Sequence, residues 1–348
     1  MKRKKSKIKY LLLLIVLLAV IGCYLFFGTS LFKSKEENSK SGNKPSSKKP
    51  VETVKIVDLE SKNRPYAIMI NNLSVARPLQ SGLQDAYIIY EMIVEGGITR
   101  YLALFQDANV DRIGPVRSAR HYYVDYALEN DAIYCHNGNS PQAAAAFSKY
   151  GLDRIEVEAP KTGIRDKSLN VSREHTLFTS TSLLANGIGK KRTTRNKGYL
   201  LDYSVKPVDI ASKEGAIPAN NISIRYSNNT TSSYQYDPEA KVYKRFVNGK
   251  EHTDYVTKNQ YTFKNIITYQ VKNTTLNDGE NKGRQDLSNT GSGTGYYITE
   301  GYAVPITWNK DRHDTQTIYK YNDGTKIKVN DGNTFIQIQP LGESLVIE

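Results

Sequence analysis

The chain has 348 residues, length for two ordinary domains with sizeable cores, and a formal net charge of +13. Twelve Lys or Arg against two Glu in residues 1–50 account for +10 of that charge, and the rest of the chain mixes 36 basic with 33 acidic side chains. Such a mixture offers no concentrated basic face for duplex DNA, so nucleic acid is not expected as a partner.

Six cations in residues 2–9 precede an uncharged apolar run of nineteen residues, 10–28, which matches the thickness of a bilayer core. The positive-inside rule then puts everything after Gly28 outside the cytoplasm, at the cell membrane. Two anchors fit. The run is too long for an ordinary signal-peptide core and lacks a small-x-small cleavage site, which favours an uncleaved helix. V-I-G-C, ending at Cys23, instead has the form of a lipobox, with Cys23 as the lipidated residue, although Tyr24, Leu25, Phe26 and Phe27 keep the chain apolar beyond it. Residues 29–53 are Lys, Ser, Asn, Gly and Pro with hardly an apolar side chain, and read as a disordered tether.

A first folded domain is expected over 54–204. Y-A-I-M-I in 66–70 reads as a buried strand ending at Asn71 and Asn72, and 86–92 with 98–105 as two strands joined through V-E-G-G. Then comes I-G-P-V-R-S-A-R-H. Its Gly-Pro turn delivers Arg117, Ser118 and Arg120 to a helix of about ten residues starting near Ser118. A short strand, 132–135, ends in His136, and a second helix opens with Ser140 as N-cap and Pro141 in the first helical position. The order of strands and helices predicts a mixed α/β sheet, whose ligand site lies beyond the carboxyl ends of the strands.

Residues 205–219 have two prolines, one glycine and no period, and mark the boundary. From 220 to 348 period-two alternation with N-G and D-G turns predicts a mainly antiparallel all-β unit, with 276–294 as a long loop inside it. The fold class expected for the whole is therefore α+β. The twenty-five tyrosines suit strands, and some suit stacking on sugar rings. Cys135 falls in an expected buried strand and Cys23 in the apolar run, so no structural disulfide is expected.

In order along the chain, R-P-Y-A-I-M-I-N-N, A-R-P-L-Q-S-G-L, Y-E-M-I-V-E-G-G-I-T-R-Y-L-A-L-F, I-G-P-V-R-S-A-R and Y-C-H-N-G-N-S-P resemble the bacterial YerB-like family, as do G-T-G-Y-Y, W-N-K and G-N-T-F-I-Q-I-Q-P in the second half. The resemblance implies a two-domain protein of the Gram-positive surface, held by a membrane anchor or a lipid, with no assigned function. Asn139 departs from the H-x-G-G-S form common in that family.

The candidate ligand-binding set is Asn71, Asn72, Glu95, Arg100, Arg117, Ser118, Arg120, His136, Ser140 and Arg173. Arginine forks beside two helix N-termini suit a phosphate or a carboxylate. Arg77 and Arg165 belong to the same group, and ordinary ion pairing with Glu91, Glu95, Asp125 and Asp166 is the alternative. No histidine spacing suits zinc, and no cofactor is expected; a hard cation on Glu91, Glu95 and Asp125 is a weaker thought. Two function classes stay open. One is binding of an anionic or glycan envelope component, or of a partner protein. The other is a hydrolase or transferase for a phosphate-bearing or glycan substrate, with His136 or His175 as general acid or base.

Overall fold

The structure, a computed structural model, describes residues 53–348. The apolar run, Cys23 and the tether lie outside the described residues. The first half supplies β1 (Tyr66–Asn71), β2 (Ile88–Ile93), β3 (Thr99–Phe105), helix α1 (His121–Glu129), β4 (Ile133–His136), helix α2 (Pro141–Tyr150) and β5 (Arg154–Glu156). The second half supplies β6 (Asn221–Ser227), β7 (Thr230–Asp237), β8 (Val242–Val247), β9 (Asn265–Val271), β10 (Gly291–Thr299), β11 (Tyr302–Lys310), β12 (Ile318–Tyr321), β13 (Thr334–Pro340) and β14 (Leu345–Ile347).

Ten of these strands form one mixed sheet in the order β12-β11-β10-β9-β13-β2-β3-β1-β4-β5, with Ile217–Pro218 added beside β11 as the eleventh. The expected hairpin through V-E-G-G is β2 and β3, paired antiparallel from Ile88↔Leu104 to Ile93↔Thr99. β1 lies antiparallel to β3 and parallel to β4, which is parallel to β5. Nearly every residue of β1, β2 and β3 is buried, as continuous apolar runs covered on both faces should be.

The second half does not stand apart from that sheet. β13 is parallel to β2 on one side, from Ile88↔Thr334 to Met92↔Ile338, and parallel to β9 on the other. Residues from both sides of 205–219 therefore share one sheet and one hydrophobic core. The other ladders of the second half are mainly antiparallel, as the alternation predicts, and β6, β7, β8 and β14 lie in a second sheet, of six strands. The stretch 276–294 is less of a loop than its Asn, Gly and Ser content predicts. Gln285–Leu287 pairs with Asn273–Thr275, and β10 already begins at Gly291. Glycines at 293 and 295 let the chain extend there under neighbours a side chain would hit: a Cβ on Gly295 would come within 2.2 Å of the Thr268 carbonyl.

The tyrosines are core residues before they are surface platforms. Tyr90, Tyr101, Tyr122, Tyr123, Tyr126, Tyr134, Tyr226 and Tyr234 are among the largest fully buried side chains, so a stacking role for them is ruled out by burial. On α1 they also spend their hydroxyls on the sheet. Tyr122 donates to the Ile93 carbonyl at 2.8 Å and Tyr123 to the Arg100 carbonyl at 2.7 Å, which ties the helix across the ends of β2 and β3.

Candidate functional site

Residues 113–119 do not begin a helix; they run extended across the carboxyl ends of β1 and β4. The Ile113 N–H donates to the Thr179 carbonyl at 2.7 Å, Val116 to Leu177 at 2.7 Å, and Arg117 to Met69 at 2.9 Å. Asn71 in turn donates to the Pro115 carbonyl at 2.9 Å and Asn137 to the Arg117 carbonyl at 3.1 Å. Gly114 makes the crossing possible. Its φ of +142° favours glycine, and a Cβ there would lie 2.9 Å from the Val116 nitrogen and 3.0 Å from Phe178.

This corrects the expected helix start. Helix α1 begins at His121, with Arg120 in the extended N-cap position and no side-chain cap. Ser118 caps nothing, because its backbone is held extended: its carbonyl accepts from the Arg100 guanidinium, and the next N–H, of Ala119, donates to Gly138 at 2.9 Å. Ser140 does cap α2, accepting from the Ala143 N–H at 3.1 Å, with Pro141 next in line. The Ser140 N–H also donates to the Ala119 carbonyl at 3.2 Å, so the leads into the two helices lie side by side.

Around this crossing the arginines gather. Arg100, at the start of β3, is buried between the crossing and Glu95, whose carboxylate lies 3.9 Å away. Arg120 holds the other Glu95 oxygen at 2.5 Å and its own neighbour's carbonyl, of Ala119, at 2.8 Å. Burial pushes the Glu95 carboxyl up, but the bond and charge of Arg120, with Arg100 behind it, outweigh burial and bring it below the usual range. For Arg100 a downward shift disfavours the charged form. Burial, then the charges of Arg120 and Arg117 against the help of Glu95, push it down to about 10, and its Nε has no hydrogen-bond partner. Nor has the buried hydroxyl of Tyr134. Arg117 reaches outward to Glu174 at 2.5 Å, and that carboxylate is 50% exposed. The hydrogen bond from Arg117 pulls the Glu174 carboxyl below its ordinary range.

The two histidines expected to carry chemistry are enclosed. His175 meets the Asn71 amide at 2.8 Å and lies 3.4 Å from Glu174, and burial is the main cause of its lowered pKa. His136 is fully buried, stacked on Phe147 at 5.0 Å between centroids. Its Nδ1 meets the Gly138 carbonyl at 2.9 Å and its Nε2 the Arg154 guanidinium at 3.5 Å, and burial lowers its pKa. Asn72 faces inward, donating to Thr99 at 2.7 Å and accepting from Arg77 at 3.0 Å. Arg173 is exposed at the rim, where its carbonyl accepts from Arg165 at 2.6 Å.

Glu95 pairs with Arg100 and Arg120, as ordinary ion pairing expects, whereas the other three carboxylates find partners outside the expected group. Glu91 meets Arg245 of the second half at 2.8 Å, with both side chains fully buried, and also accepts from Thr99 at 2.6 Å and Ser232 at 2.9 Å. Asp125 meets His313 at 2.8 Å, and Asp166 meets Arg112 at 2.9 Å. Each carboxylate offered for a hard cation thus has its own partner, and among the described residues no three His, Cys, Asp or Glu are grouped to hold a metal ion. Arg245 was legible in principle: in V-Y-K-R-F-V it is in phase with Tyr243 and Val247, which face inward. His313 and its partner Asp125 border a cleft of about 480 Å³ between α1, α2 and the segment near Leu287, and no spacing in the sequence joins two residues so far apart.

Two family models match the chain, the N-terminal domain of a protein of unknown function (DUF3048) over residues 53–195 and the C-terminal domain of the same family over 222–336. "Putative lipoprotein YerB" of Bacillus subtilis is 28% identical over 324 residues, which is 91% of this chain and 93% of that protein. The crystal structure of YerB from Bacillus subtilis superposes with a TM-score of 0.69 at 26% identity, covering 82% of this chain and 94% of that one. With both domains matched in order and the fold shared, the chain belongs to the YerB-like family of two-domain proteins of unknown function.

Proposed function

We propose that this is a membrane-anchored protein of the cell envelope that binds an anionic group over the crossing at Arg117, without turning it over. The description of its Bacillus relative as a lipoprotein and the V-I-G-C sequence support a lipid on Cys23, with the folded part on the outer side. One observation carries the binding reading. The charges of Arg120 and Arg117 add to burial in pushing the Arg100 pKa down, yet only Glu95 and Glu174 balance the three guanidinium groups, and Arg100 Nε is left without a partner. Glu174, half exposed, occupies the place a ligand anion takes when it swings away. Catalysis has less support, since both ring nitrogens of His136 are engaged in a buried stack.

Thermal melts of the full chain and of Arg117→Ala, with and without phosphate, test this reading. Phosphate raises the melting temperature of the wild type. The substitution removes a charge-assisted hydrogen bond, so phosphate binding weakens about 10-fold to 150-fold. Without phosphate the melt moves little, because a part-exposed pair such as Arg117 with Glu174 contributes about 1 kcal/mol or less. No phosphate shift in either protein would sink the reading.

A further inference from the structure

The anion site continues sideways. The segment holding Arg165 pairs with Leu177, and Leu177 accepts from the Val116 N–H at 2.7 Å, so Arg165 and Arg117 belong to segments flanking the same short strand. Strand neighbours are about 4.8 Å apart, so segments on either side of one strand lie on the order of 10 Å apart, a span that a chain of several linked phosphates covers and one orthophosphate does not. The Arg165 guanidinium lies on the Arg173 carbonyl at 2.6 Å, and Arg173 itself is exposed. Neither Arg165 nor Arg173 has a carboxylate partner among the described residues, and burial together with the Arg173 charge pushes the Arg165 pKa down. Five arginines, counting from Arg120 through Arg100 and Arg117 to Arg173 and Arg165, thus face only Glu95 and Glu174. A single phosphate engages only the Arg117 end of that series. What relieves the rest is a ligand carrying several anionic groups in a row.

Resting on the proposed anion site, we propose that the ligand is a flexible polymer of phosphate groups, which enters at Arg117 and runs along Arg173 and Arg165. Rigid duplex DNA is a poorer fit, because the body of the protein has almost as many acidic as basic side chains and the arginine series is short. Each added contact between the same two molecules is intramolecular, so affinity rises steeply with chain length while the affinity of one phosphate does not change.

The test titrates the full chain in detergent with orthophosphate, tripolyphosphate, long-chain polyphosphate and duplex DNA. Long-chain polyphosphate should bind about 100-fold or more tighter than orthophosphate, with a salt dependence that steepens from ortho- to polyphosphate. In Arg165→Gln/Arg173→Gln the polyphosphate affinity should fall about 10-fold or more, by a clearly larger factor than the orthophosphate affinity. Arg173→Gln alone, a change at an exposed side chain, should give the same pattern in smaller measure if the double variant folds poorly. Polyphosphate no tighter than orthophosphate, equal loss of both in the variants, or tighter binding of duplex DNA would each overturn the proposal. Failure of the underlying site reads differently: orthophosphate affinity would then be indifferent to Arg117→Ala.

Discussion

Arg117 and Arg245 carry the same group and do different work because of where their partners sit. Arg117 meets a half-exposed carboxylate, which in the proposed function it exchanges for a ligand anion. Arg245 is sealed between Glu91, Ser232 and His252, with the ring of Phe335 4.7 Å from its guanidinium carbon, and has nothing to exchange. Replacing Arg245 with Ala leaves the Glu91 carboxylate buried and unpaired, at a cost of about 3–5 kcal/mol in urea unfolding. Replacing both partners, Glu91→Leu with Arg245→Met, should restore much of that. A small loss in the single variant would mean that water reaches Glu91. His313 gives a pH signature of its own. The hydrogen bond its ring N–H donates to Asp125 raises its pKa against burial and the charges of Lys149 and Lys310. A raised histidine stabilises the fold fully below its unfolded value, and that stability is lost as pH rises through the folded value. His313→Gln should therefore lower the melting temperature more at about pH 5.5 than at about pH 8.5; an equal loss at both would show that the charge contributes nothing.

Among the elements, those whose pattern is local were legible and those that depend on a distant partner were not. The apolar run of β1, the hairpin of β2 and β3, and the Ser140 cap of α2 all followed from nearest neighbours in sequence. The start of α1 did not, because Ser118 has good N-cap chemistry and only the Arg100 guanidinium on its carbonyl, together with Gly138, holds it extended. β13 shows the same limit at larger range. Its sequence T-F-I-Q-I-Q-P has buried glutamines as well as apolar residues, and these are satisfied by groups far along the chain: Gln337 donates to Tyr234 at 2.6 Å and accepts from Tyr226 at 2.8 Å. Because β13 closes the β2 edge, a fragment of residues 54–205 should lose it, along with the Arg245 partner of Glu91. Far-UV circular dichroism should then follow heating of that fragment without a cooperative transition. A sharp transition would mean that the first half folds without its neighbour.

For the whole molecule, strand direction does the gathering. β1, β2 and β4 end, and β3 begins, at one edge of the sheet, so Asn71, Glu95, Arg100 and His136 arrive together although 65 residues separate the first from the last. The sequence carried the residues of this edge and the rule that ligands lie beyond strand ends. It did not carry the division of labour among them, in which Asn72 and His136 face the interior while Arg117 and Arg173 face outward. The most direct measurement is a crystal structure of the protein grown with phosphate. An anion is expected within hydrogen-bond distance of the Arg117 guanidinium, with Glu174 turned away from it; Glu174 still on Arg117 at saturating phosphate, with no anion at the crossing, would contradict binding there.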